Sequence, residues 1–371
     1  MLRSLKITAK EVEVFDWEGA SLVPSAVNTA GKALESDLKS IKNQRFIFPD
    51  GQGAGNDSEE VTAYLRTWHV AGDAPSLVAL VLASCEKFGI ETPDLVQAIL
   101  MAAILGEVEN DLPYHNNLHF KKVVLQLIRL ISVHNDIYAQ TNRALDAEQI
   151  AVLLMGGCIH DLGHDGLGNT VKGVFYSGRL ERRSFDLAKP YLEAAGADQE
   201  ILQKLKVILL TTDVAPFGDV TNPMNQMKAA YRFHFMGESE QYQTLNLSNE
   251  LEGMEECPKL AMMACLMHEA DIATSAGLDY TVTQFETCKL MEEIGSSEAK
   301  PIHITDFLDK VCQRRFLSDA GQKLFGANLA RIYALAESDE QNGNEPFPKP
   351  DHTDFVLGKR EASSGEGKTI N

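Results

Sequence analysis

The sequence predicts an all-α fold, a compact multi-helix domain, and three observations predict it. From about Val61 onward, apolar residues recur at the three- and four-residue spacing of a helix face, while the two-residue alternation of a half-buried strand is scarce. Helix-start signals precede several of these segments: Ser76 before Leu77, the pair Thr92-Pro93, Asp146 with Gln149 three residues on, and Asp198 before Glu200. Two segments, Ile150 to Ile159 and Leu260 to Ala276, are apolar around most of their circumference, which suits helices at the centre of a bundle.

In chain order, residues 1–60 read as an N-terminal extension and linker: a short strand from Lys6 to Phe15, a weak helix from Ala30 to Lys42, then FPDGQGAGNDSEE. Residues 61–338 form the main domain. Ser76 caps a helix through Phe88, and Thr92-Pro93 opens another to about Glu107, the two pairing as a hairpin. Asp111-Leu112-Pro113 breaks that helix, and YHNNLH leads into a helix from Val123 to Val133. The buried helix begun by Asp146 ends at His160. A helix from Ser184 to Ala195 carries Pro190 as a point of weakness, and Asp198 caps Glu200 to Leu210, which delivers Thr211-Thr212-Asp213. Residues 215–250 read as loops between short helices. Pro258 opens the second wholly apolar helix, and helices from Val282 to Ile294 and from Ile304 to Ala336 follow. Residues 339–371 are expected to be disordered. The sequence leaves open whether residues 1–60 serve as a lid, a homodimer contact or a plain extension.

Lys and Arg number 34 against 53 Asp and Glu, a formal charge of −19, which repels nucleic-acid backbones and anionic membrane surfaces. No nucleic-acid partner is expected. The opening MLRSLKITAKEVEVFD lacks the basic-then-apolar order of a signal peptide, and no apolar run reaches bilayer length, so a cytoplasmic protein without a membrane span is expected. The six cysteines are scattered, mostly among apolar residues, and buried free thiols are expected.

The informative stretch is GGCIHDLGHDGLGN, from Gly156 to Asn169, where an apolar run ends in His160 and Asp161. An ionised carboxylate in such surroundings costs several kcal/mol or more unless a cation answers it. No basic residue lies nearby in sequence, whereas His164 follows one turn later, so a bound divalent ion is the economical answer. Asp271 repeats the puzzle in the later apolar helix, with His268 three residues before it. His115 and His119 share a face if YHNNLH is helical. Each of these alone is most simply a core residue. Their joint occurrence points to a metal centre, with imidazole nitrogen and carboxylate oxygen favouring a borderline cation such as zinc.

YHNNLH, HDLGHDGLGN, the TTD after a helix and HEAD in a later helix resemble the catalytic domain of class I 3′,5′-cyclic nucleotide phosphodiesterases, within the HD superfamily. The resemblance covers roughly Val61 to Ser338 and implies an all-helical domain with a two-metal centre. By motif position His119, His160, Asp161 and Asp271 are similar to the ligands of the tighter site, usually Zn2+; Asp161 would also reach a second ion, usually Mg2+ or Mn2+. Two such cations about 3.5–4 Å apart lower the pKa of a shared water. His115, outside the ligand set, is placed to protonate the leaving 3′-oxygen. The resemblance makes His164, Asn169, Glu181, Thr212 and Asp213 groups that orient metal waters, and Tyr114, Asp319 and Gln322 the substrate contacts.

The sequence also departs from that pattern. Gly163 stands where a carboxylate is usual, Asp165 where a proline is, and Thr274 where an asparagine often is. At the base-binding end the family's Q-x-G-F finds its best match in Ser318-Asp319-Ala320-Gly321-Gln322, with Asp319 in the glutamine's place and Gln322 in the aromatic's. The expected activity is hydrolysis of a cyclic nucleotide (cAMP, cGMP or both) to the 5′-monophosphate. The alternatives are the same metal centre acting on another phosphoester, and a nucleotide-binding pseudoenzyme.

Overall fold

Apolar side chains at helical spacing must find partners, and in the computed structural model, which describes residues 18–51, 55–237, 246–296 and 298–348, fourteen α-helices supply them. They are α1 (Val23–Lys42), α2 (Ser58–Ala71), α3 (Leu77–Phe88), α4 (Pro93–Gly106), α5 (Asn117–Ile137), α6 (Ala147–Ile159) and α7 (Arg179–Ala194). After these come α8 (Gln199–Leu210), α9 (Pro223–Phe235), α10 (Gly253–Glu256), α11 (Pro258–Ala276), α12 (Tyr280–Glu293), α13 (Pro301–Lys310) and α14 (Asp319–Gln341). Among the described residues the only sheet is a hairpin pairing Thr170 with Phe175 and Val171 with Val174. Lys172 and Gly173 turn it with φ of 51° and 77°, the left-handed pair that suits a two-residue hairpin loop. No helix among the described residues is long and apolar enough to cross a membrane.

The two helices that the sequence marks as apolar all round are central. α11 packs along α5 and also against α6, α8, α9, α12 and α14, and α6 lies between α4, α5 and α8. Every residue of α6 from Ile150 to Ile159 is buried. Caps sit where the sequence places them: Ser76 Oγ accepts the Ala79 N–H, Asp198 accepts that of Ile201, and Asp146 forms a reciprocal capping box with Gln149.

Several boundaries differ from expectation. α1 starts at Val23 rather than Ala30, because Pro24 supplies a helix start, and its apolar face packs on α3 and α4. α7 starts at Arg179 and runs through Pro190, which puts Glu181 on a helix. Asn222-Pro223 opens α9, of 13 residues, inside the stretch read as mostly loop. The single helix expected from Ile304 to Ala336 is two. Gln313 and Arg314 have φ of 53° and 57°, which ends the first, and Ser318 caps the second through the Gly321 N–H. The second then continues to Gln341 and so past the expected start of the tail. Of the cysteines, Cys85, Cys158, Cys265 and Cys312 are buried, whereas Cys257 is exposed and Cys288 half-buried. The strand expected from Lys6 to Phe15 and most of the tail lie outside the described residues.

Candidate metal centre

Helix ends deliver His119, His160 and Asp161, and the body of α11 delivers Asp271. Asn116 Oδ1 accepts the N–H groups of Leu118 and His119, at 2.9 and 3.1 Å, and so sets the first turn of α5 that carries His119. Asn117 stitches the preceding loop, its amide donating to the carbonyls of Gly106 and Val108, both at 2.8 Å. α6 ends immediately before His160 and Asp161, and Asp271 projects from α11.

These four side chains converge. His119 Nε2 lies 3.2 Å from His160 Nε2, 3.4 Å from Asp161 Oδ2 and 3.2 Å from Asp271 Oδ1. His160 Nε2 lies 3.0 Å from Asp161 Oδ2 and 3.6 Å from Asp271 Oδ1. A cation bound tetrahedrally at about 2.0–2.2 Å would hold its ligand atoms about 3.3–3.6 Å apart, so the donor set fits one such ion. His160 Nδ1 donates to the Gly157 carbonyl at 3.1 Å, which leaves the Nε2 lone pair facing the cluster. Among the described residues neither Asp161 nor Asp271 pairs with a lysine or arginine. Burial opposes charge on Asp161, yet His160 first and then His115 and His119 hold its carboxyl well below the usual range. Burial likewise opposes protonation of His119 and His160, and the facing carboxylates outweigh it and raise both.

A second cluster adjoins the first. Glu293, the last residue of α12, accepts the backbone N–H groups of Tyr114 and His115 on Oε2, both at 2.9 Å, and its Oε1 lies 2.5 Å from His115 Nδ1. The His164 ring stacks on that of His115, centroids 3.9 Å apart and planes at 21°, and its Nδ1 is 3.7 Å from the same oxygen. Burial pushes the Glu293 carboxyl up, but the His115 ring and the two amides outweigh it and bring it to about 2. Burial, reinforced by His115, lowers His164 to about 4. Tyr114 closes one side, its ring 4.9 Å from that of His119 and its hydroxyl 3.2 Å from Ser275 Oγ.

On a third side, Asn169 Nδ2 donates to Glu181 Oε2 at 3.2 Å, and Asp213 accepts the Gly178 N–H at 2.7 Å and the Ser177 hydroxyl at 3.2 Å. Burial, then the Asp213 and Asp161 charges, raise Glu181 to about 8. Thr212 turns its hydroxyl back to the Leu209 carbonyl, at 2.8 Å.

Both departures inside the HD motif have local causes. Gly163 has φ of 72°, which strains any other side chain, and a Cβ there would sit 2.5 Å from Leu187 Cδ1 and displace it. Asp165 binds Arg179 through both oxygens, at 2.7 and 2.8 Å, fixing the loop in place of a proline ring.

The structure separates Asp319 and Gln322 from this site. Asp319 accepts the Tyr138 hydroxyl, and Tyr138 lies beyond the far end of α5 from His119, about 28 Å away at 1.5 Å per residue. Glu269, which holds the N–H groups just before α14, is two residues from Asp271 and so projects about 200° around α11 from it. Asp319 and Gln322, expected as base contacts, are both exposed on α14. His268 is not among the four converging side chains; it is buried, and neither ring nitrogen has a hydrogen-bond partner among the described residues.

Sequence reading missed the part played by Glu293. Glu286 and Glu293 are seven residues apart, two turns on one face of α12, and Glu286 forms a buried ion pair with Lys122 of α5 at 2.6 Å.

No protein-family model matches this sequence, and no match is found among curated proteins. Among solved structures, one of a Leishmania protein, described as LmjPDEB1 in complex with IBMX, is similar at 15% identity and a TM-score of 0.41, over 77% of this chain and 88% of that one.

Proposed function

We propose that this chain hydrolyses a 3′,5′-cyclic nucleotide, cAMP or cGMP, to the 5′-monophosphate with two divalent cations. The observation that carries the reading is the adjacency of a four-ligand cation site to an imidazole outside it: the rings of His119 and His115 are 5.7 Å apart. His119, His160, Asp161 and Asp271 would hold the tighter ion, Zn2+ by donor chemistry, and Asp161 would reach a second, Mg2+ or Mn2+. Bound there, the cations supply Lewis acidity at phosphorus and a water of lowered pKa.

The chain's own residues supply orientation and a proton. Nδ1 of His115 is turned to Glu293, so Nε2 is the nitrogen that gives its proton to the 3′-oxygen as the P–O bond breaks. Glu293 orients the ring, and His164 stacks on its face. Asn169, Glu181, Thr212 and Asp213 order solvent on the side of the second ion, and Tyr114 bounds the substrate space.

A second reading, the same centre acting on a different phosphoester, is favoured by the distance of Asp319 and Gln322 from the cluster. Purified protein, its metals quantified, should be assayed with Mn2+ against cAMP, cGMP, cyclic dinucleotides and nucleotide monophosphates. Turnover of cAMP or cGMP supports the proposal, turnover confined to the other substrates supports the second reading, and none on any substrate by metal-loaded protein overturns both in favour of a pseudoenzyme.

A further inference from the structure

We infer that His115, His164 and Glu293 form a separate cation site, which takes a borderline transition-metal ion such as Zn2+ and, when filled, withdraws His115 from proton transfer. The three side chains come from the loop before α5, the loop after α6 and the end of α12, and each turns one donor atom to a common point, all within 4.8 Å of one another. They share no residue with the four-ligand site.

Two imidazole nitrogens and a carboxylate oxygen form the donor set that zinc takes when its fourth position is left open. The 3.7 Å between His164 Nδ1 and Glu293 Oε1 suits two ligands of one ion with bonds of about 2.0–2.2 Å. The 2.5 Å between His115 Nδ1 and the same oxygen is instead the spacing of a shared proton. An ion entering there takes that proton's place, and His115, with its side chain 20% exposed, has room to swing outward by the few tenths of an ångström required. His164 is prepared for the role. The Gly166 N–H donates to its Nδ1 at 3.1 Å, so that nitrogen carries a lone pair, and the amide is what the ion displaces.

The exchange balances simply. The His115 Nδ1 lone pair forms the metal bond, any proton on that nitrogen moves to Nε2 or to solvent, and nothing is oxidised or reduced. With Nδ1 so occupied, the ring is held on the ion and is no longer free to pass a proton to the 3′-oxygen. That consequence rests on the phosphodiesterase reading, whereas cation uptake does not.

The test compares the metal-loaded wild type, in excess Mg2+, with His164→Ala and with His164→Asn, which keeps an acceptor for the Gly166 amide. Zn2+ is titrated calorimetrically without substrate. The expected result is one additional Zn2+ per wild-type chain, and binding weaker by roughly tenfold or more in both variants. No additional Zn2+ in the wild type, or equal uptake by all three proteins, overturns the site. Where turnover is found, the Zn2+ concentration that halves each protein's own rate should rise by the same factor in the variants. Inhibition of all three at one concentration overturns the link to His115. If no substrate is turned over, the calorimetry alone decides, so failure of the activity and failure of the cation site are told apart.

Discussion

Glu293 grips the loop that carries His115 at three points: its Oε2 takes the N–H groups of Tyr114 and His115, and its Oε1 faces His115 Nδ1 at 2.5 Å. A carboxylate so placed fixes the ring's orientation. Glu293→Gln keeps an acceptor for the amides and loses the charge, so kcat should fall by about 10- to 100-fold with the metal content unchanged. His115→Ala removes the proton donor and should cost about 10²- to 10⁴-fold, again with metals retained. Steady-state rates beside metal analysis check both. Near wild-type turnover by His115→Ala would end its assignment as the donor.

The four-ligand site makes a different prediction. Asp161→Ala and Asp271→Ala each remove a carboxylate that faces both His119 and His160, at 3.0 to 3.6 Å. Each should drop the content of the tight ion to roughly a tenth or less and abolish turnover, the reverse of the His115→Ala pattern. Chelation of the wild-type protein should lower its thermal midpoint, because an ion that binds only the folded chain stabilises it by mass action. An unchanged midpoint after verified metal removal would count against an ion at this position.

How legible the site was in the sequence depended on the range of the forces involved. His160, Asp161 and Asp271 announce themselves locally, as polar groups at the end of, or within, largely apolar helices, and the structure brings them together with His119. Glu293 carries no such signal, since its role exists only once the end of α12 meets a loop 178 residues earlier in the chain. The break between α13 and α14 is hidden for the same reason. Glu269 of α11 takes the N–H groups of Leu317 and Ser318, at 2.5 and 2.9 Å, and rewards the chain for leaving the helix there. The Ser318 to Gly321 pattern, matched to a base clamp, is a helix start: Ser318 Oγ accepts the Gly321 N–H at 2.8 Å. Local similarity found the right kind of residues there, and tertiary placement decided what they do.

That placement can be tested. With their side chains exposed on α14 and about 28 Å separating His119 from Tyr138, Asp319→Ala and Gln322→Ala should each leave kcat/KM within about twofold of wild type on any substrate turned over. Their effect on stability should stay within about 1 kcal/mol, as at other surface positions. A loss of tenfold or more in KM for one nucleobase but not another would return these residues to the substrate pocket.

Glu269 supplies a pH signature independent of catalysis. Burial raises its carboxyl to about 7, against the partial relief given by Ser318 and the Leu317 and Ser318 amides. An acid whose pKa is higher folded than unfolded binds more protons in the folded state, so its contribution is full below about pH 4.5 and is lost as pH rises through 7. The loss over that window is on the order of 2–3 kcal/mol. Glu269→Gln mimics the protonated form and cannot ionise. Wild type and variant should therefore have similar urea midpoints at pH 5, and by pH 8 the variant should be the more stable by about that amount. Taking the difference between the two proteins cancels every other titrating group. Midpoints that fall in parallel from pH 5 to pH 8 would show that Glu269 is already ionised in the fold, and that its three donors, the Leu317 and Ser318 amides and the Ser318 hydroxyl, outweigh the cost of burying its charge.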